Sequence, residues 1–255
     1  HGVAIDEQGV IPEALEAAIV KFRPRAVCLT PTQLNPTGAT MENARRDAVA
    51  EILQRHDVWL IEDDVHALLE PAGLKSLTAR LPQQSFHVTS LTKSTVPGLR
   101  AGYLTVPRGQ MHHTLPRLRA TSWMATPLIF ELADYWLASG MVDTLAHEQR
   151  QLLAERQALA ARKLAGHTIE SRPSSLHVWL TLPEPWRAEE LQQQARQEGV
   201  AITTAQPFLV EQSAMPRRVR ISLGAEPDLA RLSSGLDVLS QLLGEAPPPM
   251  LEIAY

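Results

Sequence analysis

The stretch "TSLTKSTVPGLRAGYLTVP", residues 89–107, sets a single lysine, Lys93, among hydroxyl residues, then a Pro-Gly turn, then the guanidinium of Arg100. Lysine and arginine ordinarily sit in solvent, so the plain reading is a surface loop with two hydrated cations. The flanking segments argue for more. "FHVTSL" (86–91) and "AGYLTV" (101–106) both read as strands, which puts Lys93 just past the end of one and ahead of the next.

Working outward, "AVCLTP" (26–31) reads as a buried strand closed by proline. "MENARRDAVAEILQRH" (41–56) reads as a helix with Val49, Ile52 and Leu53 on one face. Glu42 falls in its first turn and Arg55 and His56 in its last, as the helix dipole favours. "VWLIEDD" (58–64) is a second buried strand, ending in three carboxylates. Strands alternating with helices predict an α/β sheet with helical crossovers, and such sheets bind ligands beyond the carboxyl ends of their strands. Asn35, Asp63 and Lys93 fall at those ends.

From residue 127 the pattern changes. "PLIFELADYWLASGM" and "VDTLAHEQRQLLAERQALAARKLAG" read as two helices, the second arginine-rich and stopped at Gly166. A strand in "SSLHVWLTLP" (174–183), a helix over "AEELQQQARQEG", a strand in "RRVRISLG" (217–224) and a closing helix over "DLARLSSGLDVLSQLL" follow. This is an α+β arrangement. The expected division is a large domain over 1–125 with a mixed, mostly parallel sheet, connecting helices over 126–165 and a smaller domain over 166–255. The proline-rich "APPPM" near the end offers no chemistry to read.

Composition narrows the function classes. The 255 residues are 44% hydrophobic and 20% charged, ordinary values for a globular protein, with a net charge of -4. That balance gives these residues no electrostatic footprint for nucleic acid. No run approaches the ~18 apolar residues of a membrane span, and residues 1–20 lack a signal-peptide pattern. A cytoplasmic location follows as the expectation. The single cysteine, Cys28, excludes an internal disulfide, suits a reducing compartment and is expected to be a small core residue.

A lysine amine, a carboxylate and a hydroxyl–arginine cradle are what pyridoxal 5′-phosphate needs. The amine forms a Schiff base with the aldehyde, and the carboxylate keeps the ring nitrogen protonated so that the ring accepts electrons. The guanidinium and hydroxyls hold the phosphate. "NPTG" (35–38), "IEDD" (61–64) and "TSLTKSTVPGLRAGYL" (89–104) together resemble the class I/II aminotransferases of fold type I. The resemblance runs over essentially the whole chain, from "AIDEQGVIPEALEAAI" to "VRISLGAEPDLARL".

The resemblance implies a role for each matched residue. Lys93 is the Schiff-base lysine and the base that moves the substrate α-proton; Asp63 pairs with the pyridine nitrogen; Asn35 donates to the ring 3′-oxygen. Ser90, Thr92 and Arg100 hold the phosphate, and Arg220 clamps a substrate α-carboxylate. Plainer readings stand beside these. Asn35 before a proline suits a turn, Glu62 and Asp64 read as strand-end charges, and His177 and Trp179 as packing residues. Arg217 and Arg218 are expected to face solvent. Arg218 and Arg220 share a strand face, so alternation alone does not choose between them.

Two departures stand out. Relatives carry a tyrosine after the aspartate pair, its phenol bonding the 3′-oxygen; here Val65 and His66 occupy that region, and His66 is the candidate replacement donor, shorter and titratable. Where relatives show P-x-G-G, this chain reads "RPSSLHVW", with Ser174 and Ser175 in place of glycines. Family members also carry upstream strands, a glycine-rich phosphate turn and an aromatic that stacks on the cofactor. The sequence is therefore expected to be the C-terminal part of a longer protein, lacking about 90 or more residues of the cofactor domain.

Two parents fit. "EDDVHALLE", "HEQRQLLAERQALAARKLAG" and "VRISLGAEPDLARLSSGLDVL" resemble the aminotransferase-like domain of MocR/GntR-type transcriptional regulators, which implies an effector domain sensing an amino acid or the cofactor. Such a protein is a homodimer that contacts DNA only through an N-terminal domain absent here, with no membrane role. The alternative is a free-standing aminotransferase that transfers the amino group of an α-amino acid to a 2-oxo acid. A lyase or decarboxylase on the same scaffold is the remote third.

Overall fold

The computed structural model describes residues 1–70, 73–210 and 216–245; the proline-rich "APPPM" lies outside them. The chain forms two compact units, one of residues 1–35 and 39–151, the other of 36–38 and the residues from 152 onward.

The first unit opens with a hairpin, β1 (Ile5–Asp6) and β2 (Gly9–Val10), and the helix α1 (Pro12–Phe22), started by its N-terminal proline. Next come β3 (Ala26–Leu29), α2 (Asn43–Arg55), β4 (Trp59–Asp63), the single-turn α3 (Leu77–Arg80), β5 (Ser85–Ser90) and β6 (Gly102–Thr105). These strands lie in the order β3-β4-β5-β6, with the first three parallel and β6 antiparallel to β5. Leu29 and Leu60 face Leu15 and Ile19 of α1, Val49 and Leu53 of α2, and Leu77 of α3 in one apolar cluster. Burying Leu60, fully enclosed, is worth on the order of 2 kcal/mol by area.

After β6, three helices follow: α4 (Met111–Ser122), α5 (Pro127–Ala138) and α6 (Met141–Lys163). Ala133 of α5 and Val142 of α6 pack with Leu91, Leu99 and Ala101. The sequence reading did not anticipate α4. It holds an internal Pro116 and buries none of its residues, so no apolar face signals it.

The second unit carries β7 (Ile169–Glu170), β8 (His177–Thr181), α7 (Ala188–Gln197), β9 (Thr203–Thr204), β10 (Arg218–Ser222) and α8 (Leu229–Gly244). The sheet is antiparallel in the order β7-β8-β10-β9. Val178, Leu180, Val219 and Ile221 alternate inward against Leu191 of α7 and Leu232, Leu236 and Leu239 of α8. Asp228 caps α8 by accepting from the Ala230 and Arg231 amides.

Several sequence expectations change. Cys28 is exposed rather than a core residue, because β3 alternates exposed and covered positions and Cys28 lies on the face that helices α1–α3 leave open. Glu62 is fully buried, not a solvated strand-end charge: its carboxylate accepts from the Leu77 and Thr78 amides and the Thr78 hydroxyl, capping α3. Asp64 is buried too. Glu42 sits one residue outside α2, at its N-cap.

Asp64 belongs to a buried network at the carboxyl ends of the parallel strands. Arg46, 1% exposed, donates to the carbonyls of Met41 (2.8 Å) and Pro31 (3.2 Å) and to the Thr32 hydroxyl (3.0 Å). Thr32 donates to Asp64 at 2.6 Å, and His87 Nε2 stands 3.3 Å from the other Asp64 oxygen. Burial pushes the Asp64 carboxyl up, but hydrogen bonds from His87 and Thr32 outweigh it and hold it below the usual range. The bond to Asp64 raises His87, against burial, which pulls it down. Glu62, Asp64 and His87 place ligand atoms within 4.8 Å of one another, but the carboxylate oxygens are already filled by the amide, hydroxyl and imidazole donors named above.

Replacing Arg46 with methionine should keep its volume but leave buried carbonyls without donors, lowering stability by roughly 3 kcal/mol in chemical denaturation. The His87–Asp64 pair gives a pH signature. His87 binds its proton more tightly folded than unfolded, so the pair contributes fully below the ordinary histidine value of 6.5 and fades as pH rises through the raised folded value. The stability difference between the wild type and His87→Gln should therefore shrink as pH rises above that value, read from denaturant midpoints.

Candidate cofactor site

The loop from β5 to β6 is stitched by its own backbone. The Leu91 carbonyl accepts from the Ser94 amide (3.3 Å), the Thr95 amide (2.9 Å) and the Thr95 hydroxyl (2.7 Å). This tight turn buries Ser94 and Thr95 and leaves Lys93 exposed on its outer side. Leu99, buried, anchors the far end. Arg100 then takes a left-handed conformation, φ 52°, uncommon for a residue with a side chain. That reversal turns the chain into β6, where the Ala101 carbonyl accepts from the Leu91 amide and the Ser90 hydroxyl.

Asp63 ends β4 half-buried, its Oδ1 3.4 Å from the Val65 amide. His66 is buried two turns of chain further on, with Nδ1 3.1 Å from the Gln33 carbonyl. Burial lowers its pKa first, the Lys93 ammonium lowers it further, and the Asp63 carboxylate pulls it partly back. The fields of Lys93 and Asp63 thus meet on one imidazole. The Gln33 carbonyl at Nδ1 suits a proton on that nitrogen, and the lowered pKa disfavours the imidazolium at the position where relatives carry a tyrosine.

Gln33, itself left-handed at φ 50°, aims its carbonyl at His66 while its side-chain amide donates to Glu70 at 2.9 Å. Two residues on, Asn35 is exposed at a turn closed by the Leu34 amide donating to the Ala39 carbonyl. The turn suits Asn-Pro, and Gly38 supplies its positive φ of 76°. Ser90 both donates to the Ala101 carbonyl and accepts from the Thr92 amide at 3.1 Å.

The structure therefore brings Asp63, His66 and Lys93 into one neighbourhood, sets Ser90, Thr92 and Arg100 along the Lys93 loop, and leaves Asn35 on the turn after β3. Thr32, Arg46, His87 and Gln33 hold these segments in place and escaped the sequence reading. Only Arg46 left a signal, a charge at a position in register with Val49 and Leu53 on the apolar face of α2.

Arg220 lies in the second unit. Its guanidinium stands 5.0 Å above the Phe208 ring, its strand neighbour across the sheet is Trp179, and burial lowers its pKa. Arg218, on the same face, is spent on an ion pair with Glu170 at 2.7 Å, and Arg217 pairs with Glu184 at 2.9 Å. Trp179 is buried. The structure separates the two arginines that alternation left equivalent.

The donor set fits pyridoxal phosphate in charge. The Lys93 amine and Arg100 guanidinium make no hydrogen bond or ion pair among the described residues, and Asp63 accepts only its long backbone contact. Two cations for a phosphate and an aldehyde, and one carboxylate for a ring nitrogen, match the group's own distribution. Ser90 fits less directly, since its proton is committed to a carbonyl.

Known proteins bear on this arrangement. The profile of the class I and II aminotransferases matches residues 4–239. The HTH-type transcriptional regulator YdeF of Bacillus subtilis is 32% identical over 92% of this chain and 51% of its own length. YdcR of Escherichia coli, also an HTH-type regulator, is 32% identical over 81% of this chain and 46% of its own. The 2-aminoadipate transaminase of Thermus thermophilus is 26% identical over 81% and 54%. The chain thus spans about half the length of these relatives. Among solved structures, an archaeal alanine:glyoxylate aminotransferase superimposes with a TM-score of 0.83 at 20% identity, over 96% of this chain and 63% of its own. LysN of Thermus thermophilus, complexed with N-(5′-phosphopyridoxyl)-L-leucine, gives 0.82 at 23%, over 95% and 64%. These establish the α/β fold of the aminotransferases. A profile match of that extent places the chain in the class I and II aminotransferase family, whose cofactor is pyridoxal 5′-phosphate.

Proposed function

We propose that the chain is the pyridoxal-phosphate-binding, aminotransferase-like effector domain of a MocR/GntR-type transcriptional regulator, for which an amino acid or the cofactor itself is the signal. The observation that carries this reading is that two regulators match it at 32% identity against 26% for the transaminase, one over 92% of the chain and the other over the same 81% that the transaminase covers. A repressor named for vitamin B6 salvage, PtsJ of Salmonella typhimurium, is 30% identical over 71% of the chain, which favours a cofactor-linked signal. DNA contact belongs to a segment outside residues 1–255, in a full-length cytoplasmic homodimer. A free-standing aminotransferase is the second reading, favoured by the exposed Lys93 amine and the complete charge set around it.

When bound, the cofactor supplies an aldehyde and an electron-accepting ring. Lys93 would contribute the amine that holds it and the base that moves a substrate α-proton. Asp63 would keep a proton on the ring nitrogen. Arg100 and the Thr92 hydroxyl would bind the phosphate, with Ser90 beside them once its proton is released from the Ala101 carbonyl, and Asn35 would donate to the ring 3′-oxygen. His66 would stand where relatives carry a tyrosine, a shorter and titratable group, and the loss of that phenol suits a sensor better than a rapid catalyst. Arg220 grips the α-carboxylate of the amino acid through two parallel charge-assisted bonds, while Arg218 stays with Glu170.

In the full-length protein loaded with pyridoxal phosphate, borohydride reduction should leave the pyridoxyl label on Lys93; a label on Lys75 or Lys163 would refute the site. Amino acid should then change the affinity for operator DNA, while a sustained turnover of amino acid and 2-oxo acid without DNA binding would select the enzyme. Arg220→Ala should keep the cofactor absorbance but weaken the amino-acid response roughly 30- to 800-fold, the loss of about 2–4 kcal/mol for one partner of a closed charge pair. Arg220→Lys should recover little, since a point charge lacks the fork.

A further inference from the structure

The second unit holds a cavity that its core packing leaves unfilled. About 450 Å³ of space opens between the end of α7, the end of β10 and α8. That lies within the roughly 300–1,000 Å³ typical of small-molecule sites. Its floor is aliphatic, built by Val200, Ile221, Leu236 and Leu239. Ile221 points toward α8 while Arg220, its chain neighbour, points to the opposite face of the sheet. A molecule seated on Ile221 is therefore separate from one held by Arg220.

Gly235 forms part of the cavity wall, in the interior of α8. A glycine inside a helix costs stability relative to alanine. Neither its backbone nor its neighbours require it: its φ is not positive, and a Cβ would meet only Val200, at 3.7 Å, an ordinary contact. A longer side chain there would run toward Val200 and fill the space. The glycine thus keeps open a volume that close packing would otherwise remove.

The rim carries both signs of charge. Glu226 accepts from the Asp228 amide at 3.0 Å and stands 3.5 Å from Arg231 Nε, a loose pair whose arginine side chain is 78% exposed. Glu198 and the carbonyl end of α7 add negative character at the same mouth. An aliphatic body with an ammonium and a carboxylate at one end complements floor and rim together. We propose that the cavity binds an aliphatic α-amino acid of about leucine size. Its side chain lies on the floor, its carboxylate meets Arg231, and its ammonium meets Glu226 and Glu198. This site is additional to the cofactor site and holds whether that site serves a sensor or an enzyme.

The test is equilibrium dialysis of labelled L-leucine against the full-length protein carrying Arg220→Ala, its cofactor fixed by borohydride reduction. That background closes the other route by which an amino acid could bind. Saturable leucine binding should remain. Adding Gly235→Leu, which fills the cavity, should weaken it at least about 10-fold, as expected for losing the burial of one aliphatic side chain. Adding Arg231→Glu instead, a change at an exposed position that leaves the core untouched, should weaken it by a similar factor. Unlabelled 4-methylpentanoate and 3-methylbutylamine, each with one of the two charges, should compete at least about 10-fold less well than leucine. No saturable binding in the Arg220→Ala background would overturn the proposal. Binding there that neither Gly235→Leu nor Arg231→Glu changes would overturn it equally.

Discussion

A buried guanidinium stands at the point where three strands deliver their chemistry. Arg46 reaches from α2 to the carbonyls of Met41 and Pro31 and, through the Thr32 hydroxyl, to Asp64. His87 closes the network from β5. Each member lies within a few residues of a candidate site residue: Thr32 precedes Asn35, Asp64 follows Asp63, and His87 precedes Ser90 and Lys93. A desolvated arginine is costly unless its donors are met. Meeting them here requires the three segments to stop in fixed mutual positions, so the network's satisfaction and the site's geometry are one condition.

The electrostatics follow from the same layering. The groups beneath the site are buried and paired, as with Asp64 and Glu62. The groups at its surface, Lys93 and Arg100, are exposed and make no ion pair among the described residues. His66 lies at the boundary, its pKa lowered by burial and by the Lys93 ammonium. In the second unit Arg218 and Arg220 repeat the division, one neutralised by Glu170 and the other held over Phe208. Fixed charge pairs build the frame.

Much of this was legible in the sequence where local chemistry speaks for itself. The strands ending within a residue of Asp63 and Ser90, the α2 and α6 helices and the mixture of strands and helices in the second unit follow from periodicity and stop signals. The Lys93 motif named the family before any coordinate was needed. What escaped depends on long-range contact. Glu62 reads as a strand-end acid until α3 arrives to be capped, and Cys28 reads as core until the covering helices are seen to lie on the other face of β3. His66 was recognisable as a departure, but its proton position depends on the Gln33 carbonyl, 33 residues away in sequence.

The stitching of the Lys93 loop has an evolutionary consequence. Its turn is closed by the Leu91 carbonyl, by Thr95 and by the Ser90–Ala101 bond, none of which uses the lysine side chain. The amine can be lost without unravelling the loop that presents it. Descent along this scaffold therefore meets no structural barrier between a protein that reacts with its ligand and one that merely recognises it. Any selective pressure to keep a lysine at position 93 would therefore have to act through ligand handling rather than through folding.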